Sequence, residues 1–583
     1  MLRAMQELIS HDALARATRL STQNPVVKLI SSAARIPRIN EIYRRSWSTD
    51  PGEFLDHVFR ELAVDIDVSH RELDNIPETG PFIVVANHPF GAIDGLALLK
   101  TIRQKRPDFK IMANFLLQYV QPLKDAFISV NPFEELKSSH SNLSGIKDCL
   151  LHLRQGGGLG IFPAGEVSTY DKNENAVVDK PWSNGAIKLI QKAGVPIVPV
   201  HFAGQNSITF HALGLIHPRL RTLALPAELL KKSGSTLTLS IGRVVHVHEI
   251  NGFEETEQAG SYLRARTYAV GYRKAVARPA VYGLTQSTSM HDIITSTASC
   301  DIIADLHANR DACIARQGSF EVYELDKSKA QSLLREVGRL REVTFRSVGE
   351  GTGLPTDLDE FDEYYKHLVV WDSACNRIVG AYRVGHGPSI MRDHGVSGFY
   401  LSTLYRIEGP ARDILQHSAE LGRSFVVQDY QRHRLSLFTL WKGIEAYLEK
   451  HNDVRHLIGP VSISSDYHVS SKRLMMHFFR KQSVQHPLRK FIKPLTPYHE
   501  RCAMPAVADL VDGMRGDLKV LDRVIADNEP TGSGVPVLVK KYMAQNGQIL
   551  AFNCDPNFNN SLDGFLIVNV ADIPTHMREC LRQ

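Results

Sequence analysis

The stretch Gly80–Ile102, GPFIVVANHPFGAIDGLALLKTI, decides the fold of the N-terminal half. Five apolar residues, Phe82–Ala86, read as a strand buried on both faces. Asn87, His88 and Pro89 follow at its end, and helical periodicity resumes around Asp94. Similar short apolar runs recur at Phe109–Ala113, Leu159–Phe162, Ile197–Val200 and Leu237–Ile241, separated by stretches of helical spacing. That alternation predicts an α/β domain built on a buried sheet.

Beyond it, a helix is expected around Ser328–Thr344, then strands at His367–Asp372 and Ile378–Val384. Strands Ser424–Val427 and Leu457–Ser462 should flank a helix from Leu435 to Lys450, giving a second α/β unit of different pattern. At 583 residues and 43% hydrophobic, the chain has enough apolar material for two cores. The expected partition is a basic amphipathic segment at 1–50, a first catalytic domain at 51–285, a linker at 286–315 and a second catalytic domain at 316–583.

A formal charge of +5 is small for this length, so nucleic acid is not an expected partner. The seven cysteines are scattered without a CxxC pair, which fits a reducing cytoplasm and gives no metal cluster. No run approaches the roughly 18 to 20 apolar residues needed to span a bilayer. The expected location is therefore cytoplasmic, peripheral on the inner face of the membrane. Val26–Ser46, VVKLISSAARIPRINEIYRRS, is a candidate for lying in an anionic surface or for packing as an ordinary amphipathic helix, with Pro37 interrupting it.

His88 and Asp94 can meet across the turn after the first strand. A carboxylate accepting from one imidazole nitrogen leaves the other free to take a proton from a hydroxyl. In isolation such a pair would be an ordinary surface contact or cap. A second block, Gly156–Ser168 (GGGLGIFPAGEVS), then adds a glycine-rich turn, a strand and a Pro-Ala-Gly-Glu loop. Its glycines precede the strand, where helix termination and close packing are the expected roles, not nucleotide binding.

With PWSNGAIKLI and VPIVPVHFAGQNS following in order, Ile76–Val245 resembles the glycerolipid-type acyltransferases in their hemolysin-like branch. The resemblance implies that His88 is a general base and Asp94 its orienter. Five residues separate the two, as suits that branch. The arginine that would pair with an acceptor phosphate is missing from Phe162–Val167, so the acceptor is expected to differ from glycerol phosphate, or to meet a different clamp. Gly165 and Glu166 become candidates for binding an amino head group.

In the second half, REVTFR at Arg341–Arg346, DLDEFDEYYKHLVVWD, RIVGAYRV, ELGRSFV and the block at 535–568 together resemble ornithine acyltransferases of the GNAT superfamily, over about Val337–Val568. The resemblance implies site roles for Glu420 and Arg423, with Asp359 and Asp362 as contacts for a cationic substrate. Glu420 is either the base or the group that orients Arg423. The superfamily's pyrophosphate loop appears as Gln431-Arg432-His433-Arg434-Leu435, without its glycines. Acyl carrier protein is therefore the preferred donor, with coenzyme A as the other choice, and Arg432 and Arg434 would meet the acidic carrier.

These features together resemble bifunctional ornithine lipid synthases. The implied chemistry joins a 3-hydroxyacyl chain to ornithine, then esterifies the resulting lyso-aminolipid, with no metal and no cofactor. A lysophospholipid acyltransferase with an accessory GNAT-like domain, or a membrane-lytic protein, would share parts of the pattern.

Overall fold

The computed structural model describes residues 7–10, 21, 24–114, 120–130, 140–172, 176–275, 290–498 and 507–582. It divides into two compact units, one of residues 1–278 with 502–517, the other of residues 279–501 with 518–583. Both are α/β.

In the first unit a seven-stranded sheet runs in the order Asp65–Asp67, Thr236–Ile241, Ile197–Phe202, Phe82–Ala86, Gly158–Ile161, Lys110–Asn114, Phe127–Val130. All neighbours are parallel except Ile197–Phe202 with Thr236–Ile241. Phe82–Ala86 is central and wholly buried, as a continuous apolar run requires. Its carboxyl end delivers Asn87 and His88 to the sheet's edge, where open parallel sheets place ligands. Gly158 lies so close to Phe82 that an added β-carbon would sit 2.4 Å from its ring, which explains the glycine before that strand.

The N-terminal basic stretch forms two helices, Pro25–Ala33 and Ile36–Arg45, with Pro37 in the first turn of the second. Ile36, Ile39, Ile42 and Tyr43 are buried, so the second helix uses its apolar face for packing. Much of what precedes Pro25 lies outside the described residues. The first unit also includes the helix Val507–Gly513, drawn from the far end of the chain. Leu510, Val511 and Met514 are buried there, and Gly513 packs on Tyr262 of the helix Thr256–Ala275.

The second unit carries an eight-stranded sheet in the order Cys313–Gln317, Phe320–Leu325, Lys366–Asp372, Arg377–His386, Ser418–Val426, His456–Ile463, Ser561–Asn569, Gln548–Asp555. Pairing is antiparallel except between Ser418–Val426 and His456–Ile463, which are parallel and paired only as far as Glu420 and Ile458. Beyond that point the two strands are not paired with each other. The expected junction at 286–315, open to being partly helical, is in part built into this unit. Residues 286–289 lie outside the described residues, but Ser299–Ala308 is a helix whose Ile302 and Leu306 are buried in this unit's core, and Cys313 begins a strand. Its Ser/Thr-rich lead-in masked that periodicity.

Candidate active sites

In the first unit, His88 Nδ1 lies 2.9 Å from Asp94 Oδ2. Asp94 is fully buried in the first turn of the helix Ala92–Arg103, and the same oxygen accepts the backbone N–H groups of Phe90 and Gly91. His88 is only partly buried, and its ring lies 4.3 Å from that of Phe162. The carboxylate therefore holds the imidazole with Nε2 free for a hydroxyl proton.

Sequence reading missed the group that locks this loop in place. Asp179 Oδ1 accepts the His88 backbone N–H at 3.1 Å and the Ser168 hydroxyl at 2.6 Å, while Oδ2 accepts from Trp182 Nε1. Burial raises its carboxyl above the ordinary range. Its single signal was position, two residues before the Pro181-Trp182 block.

Gly165 sits exposed at the turn of the Pro-Ala-Gly-Glu loop with φ near +71°, where a side chain would be strained. Glu166 pairs with Lys180 at 2.7 Å and Arg221 at 2.5 Å. Burial alone would raise its carboxyl, but these two cations hold it below the usual range. Arg221, from the helix Pro218–Lys231, stands beside the loop that lacks the expected arginine. No motif marked it.

In the second unit, the sheet and the loops around it gather three arginines and three aspartates. Arg341 forks onto Asp362 at 2.9 and 3.1 Å and reaches Asp357. Arg383 pairs with Asp359 at 2.5 Å and with Asp362. Arg423 meets Asp357 at 3.2 Å and lies over the rings of Tyr400 and Phe558. Asp359 and Asp362 are thus already neutralised, which leaves them no spare charge for a cationic substrate. Burial opposes ionisation of Asp362, but Arg341 and Arg383 hold its carboxyl well below the ordinary range. Arg341 and Arg383 stood in the quoted REVTFR and RIVGAYRV blocks, yet nothing in sequence showed them converging on Asp362.

Glu420 and Arg423 do not pair among the described residues. Glu420 is buried, accepting the Tyr365 hydroxyl and the backbone N–H groups of Tyr400 (3.0 Å) and Leu401 (2.7 Å). That is the position of an anchor with no exposed edge. Arg423 instead adopts φ near +48° beside an irregularity in pairing with Arg377–His386, a strained backbone that turns its guanidinium into the cluster.

Two carboxylates that sequence reading passed over adjoin this cluster. Asp555 and Asp563 are buried on paired strands, where Asn553 faces Asp563 and Asp555 faces Ser561. They therefore share a sheet face as diagonal neighbours. Burial, with Asp555 and Glu350 nearby, pushes the Asp563 carboxyl up to about 7, and burial with Asp466 pushes Glu350 to about 7. Arg432 and Arg434 lie exposed at the start of the helix Arg434–Lys450.

Comparison with known proteins agrees with both geometries. Residues 16–275 match an acyltransferase family model, and residues 340–442 match an acetyltransferase (GNAT) domain model. The chain is an acyl-transferring enzyme. A glycine Nα-acyltransferase of Bacteroides thetaiotaomicron is 28% identical over 46% of this chain and 82% of its own length. A lyso-glycine lipid O-acyltransferase of the same organism is 25% identical over 42% of this chain and 89% of its own length. A second protein of that name, from Phocaeicola vulgatus, is 28% identical over 38% and 78%. The expected fold class, an acyltransferase α/β domain followed by a GNAT α/β domain, is borne out.

Proposed function

We propose that this enzyme makes a phosphorus-free aminolipid in two steps. The C-terminal domain brings the α-amine of ornithine to the thioester of a 3-hydroxyacyl chain on acyl carrier protein. The C–N bond forms, the C–S bond breaks, and the pantetheine thiol leaves with the proton. The N-terminal domain then has His88 Nε2 take the proton of that 3-hydroxyl, which attacks a second acyl thioester, and the proton passes to the departing sulfur. Arg432 and Arg434 are the carrier-facing cations of the first step.

The observation that carries the reading is one chain holding both a His88–Asp94 pair in an acyltransferase-matching domain and a second domain matching the GNAT model. Relatives named for N-acylation of glycine and for O-acylation of lyso-glycine lipid support the order of steps. Fusion serves it physically, because a single-chain intermediate is captured at high effective concentration.

The relatives' names favour glycine as the head group. Ornithine is favoured by buried Asp563, whose carboxyl is raised by burial with Asp555 and half-buried Glu350 nearby and would be relieved by a second ammonium. Lipid extracts from cells expressing the chain, fed labelled ornithine or labelled glycine, decide between them. Label from glycine alone would replace ornithine in this scheme, and label from neither would reject it. The proposed location is the cytoplasmic face of the membrane. Among the described residues no helix is long and apolar enough to cross one.

A further inference from the structure

The helix Ile208–Ile216, ITFHALGLI, buries only Phe210. Ile208, Leu215 and Ile216 are 83%, 70% and 74% exposed, and Ala212 is exposed with them. Their spacing of four, seven and eight residues puts all four on one stripe. Water gives such a stripe no favourable contact, and exposed aliphatics gathered this way mark an interaction surface.

The chemistry around the stripe identifies what covers it. Residues 208–232 hold four cations, Arg219, Arg221, Lys231 and Lys232, against one acid, Glu228. That acid is buried and occupied by Ser207 and Lys231. The neighbouring helix Pro25–Ala33 adds exposed Leu29 and Lys28 and no acid. Arg221 and Lys231 are held by Glu166 and Glu228, but basic residues still outnumber acidic ones here and Lys28 is exposed, so an apolar stripe on a net-positive surface fits an anionic bilayer. The position is also close to the chemistry. The next helix packs Leu225 on Gly91, where an added β-carbon would sit 3.0 Å from the leucine, and Arg221 holds Glu166.

We propose that the helix Ile208–Ile216 is the membrane-docking element, seating its exposed stripe in an anionic lipid surface so that a lipid acceptor reaches His88 without crossing water. The proposal rests on the reading that the N-terminal site acylates a lipid. It differs from the expectation for the N-terminal basic stretch, whose helix Ile36–Arg45 spends its apolar face on the core.

The test is co-sedimentation of the full chain with phosphatidylcholine vesicles containing phosphatidylglycerol, without ornithine or acyl donor. The triple variant Ile208→Ser, Leu215→Ser, Ile216→Ser should bind about tenfold more weakly or worse, with an unchanged unfolding temperature, since these side chains are exposed. Should that variant fold poorly, Ile208→Trp should be quenched by brominated lipid on binding. Vesicle binding equal to wild type, or absence of that quenching, overturns the proposal. A dimer that the triple variant turns into a monomer without lipid would assign the stripe to a second copy and also overturn it. Because no substrate is present, failure of the head-group reading leaves this measurement unaffected.

Discussion

Asp94 Oδ2 receives the Nδ1 side of His88 at 2.9 Å while also accepting two backbone N–H groups from the same turn. The carboxylate is therefore aimed before any substrate arrives. His88→Ala should slow ester formation by about 10²- to 10⁴-fold, or roughly 3 to 5 kcal/mol of barrier, and leave amide formation intact. Asp94→Asn should slow the same step by favouring the wrong tautomer. Thin-layer chromatography of labelled extracts should show lyso-aminolipid accumulating in both variants. Its absence in His88→Ala would reverse the assignment of the two domains.

Glu420 offers a choice between anchor and base. Glu420→Ala strands three donors in the core and should destabilise the second unit by about 3 kcal/mol or more. Glu420→Gln keeps the shape and one accepting oxygen, turning the other into an NH2 that faces a donor. If Glu420 anchors the Tyr400–Leu401 turn, the glutamine variant retains most amide-forming activity. A loss of a hundredfold or more at unchanged stability would restore Glu420 as the base.

Arg423 lies over Tyr400 and Phe558 with Nε on Asp357 and its terminal nitrogen toward Asp359, an arrangement that an ammonium cannot copy. Arg423→Ala and Arg423→Lys should both abolish amide formation, and with it both lipids. Supplied lyso-aminolipid should restore the diacyl product, because the N-terminal site is untouched. Amide formation persisting in properly folded Arg423→Ala would place Arg423 outside the first step.

Asp563 carries a raised carboxyl pKa, so its folded form favours the proton. The sign follows directly: this contribution to stability is complete below the unfolded value of 3.8 and is lost as pH rises through about 7. Asp563→Asn removes the penalty of ionisation. Its stability relative to wild type should therefore improve between pH 4 and pH 8, by on the order of 4 kcal/mol at the upper end. Denaturant melts at the two pH values measure this, and a flat difference would contradict it. The same variant should raise the KM for ornithine more than it lowers kcat, if the acidic pocket holds the second amine.

Both transfers start from an activated thioester and use side-chain bases, so activity should survive chelation. Loss of both activities on adding a chelator, restored by a divalent ion, would sink the metal-free mechanism.

The fold was legible wherever period and hydrophobicity agreed. Phe82–Ala86 is a strand to the residue, and the helix expected from Leu435 begins at Arg434. The His88–Asp94 pair was legible too, because six positions along a strand–turn–helix bring the side chains together. What stayed hidden depends on distance in the chain. Asp179 reaches His88 across 91 residues, and Arg221 reaches Glu166 across 55. A carboxylate's neighbours cannot be read from its own surroundings when they come from other strands. This is also why Glu420 and Arg423, three residues apart, proved to serve different partners.

The return of Leu510, Val511 and Met514 to the first unit bears on how the protein is made. The unit encoded first lacks part of its interior until about residue 517 has been synthesised. During translation the helix Thr256–Ala275 must wait, with Tyr262 uncovered, while most of the other unit emerges. A fragment ending near residue 278 would lack that cover, so working halves of this enzyme should need the helix Val507–Gly513 supplied to the N-terminal part.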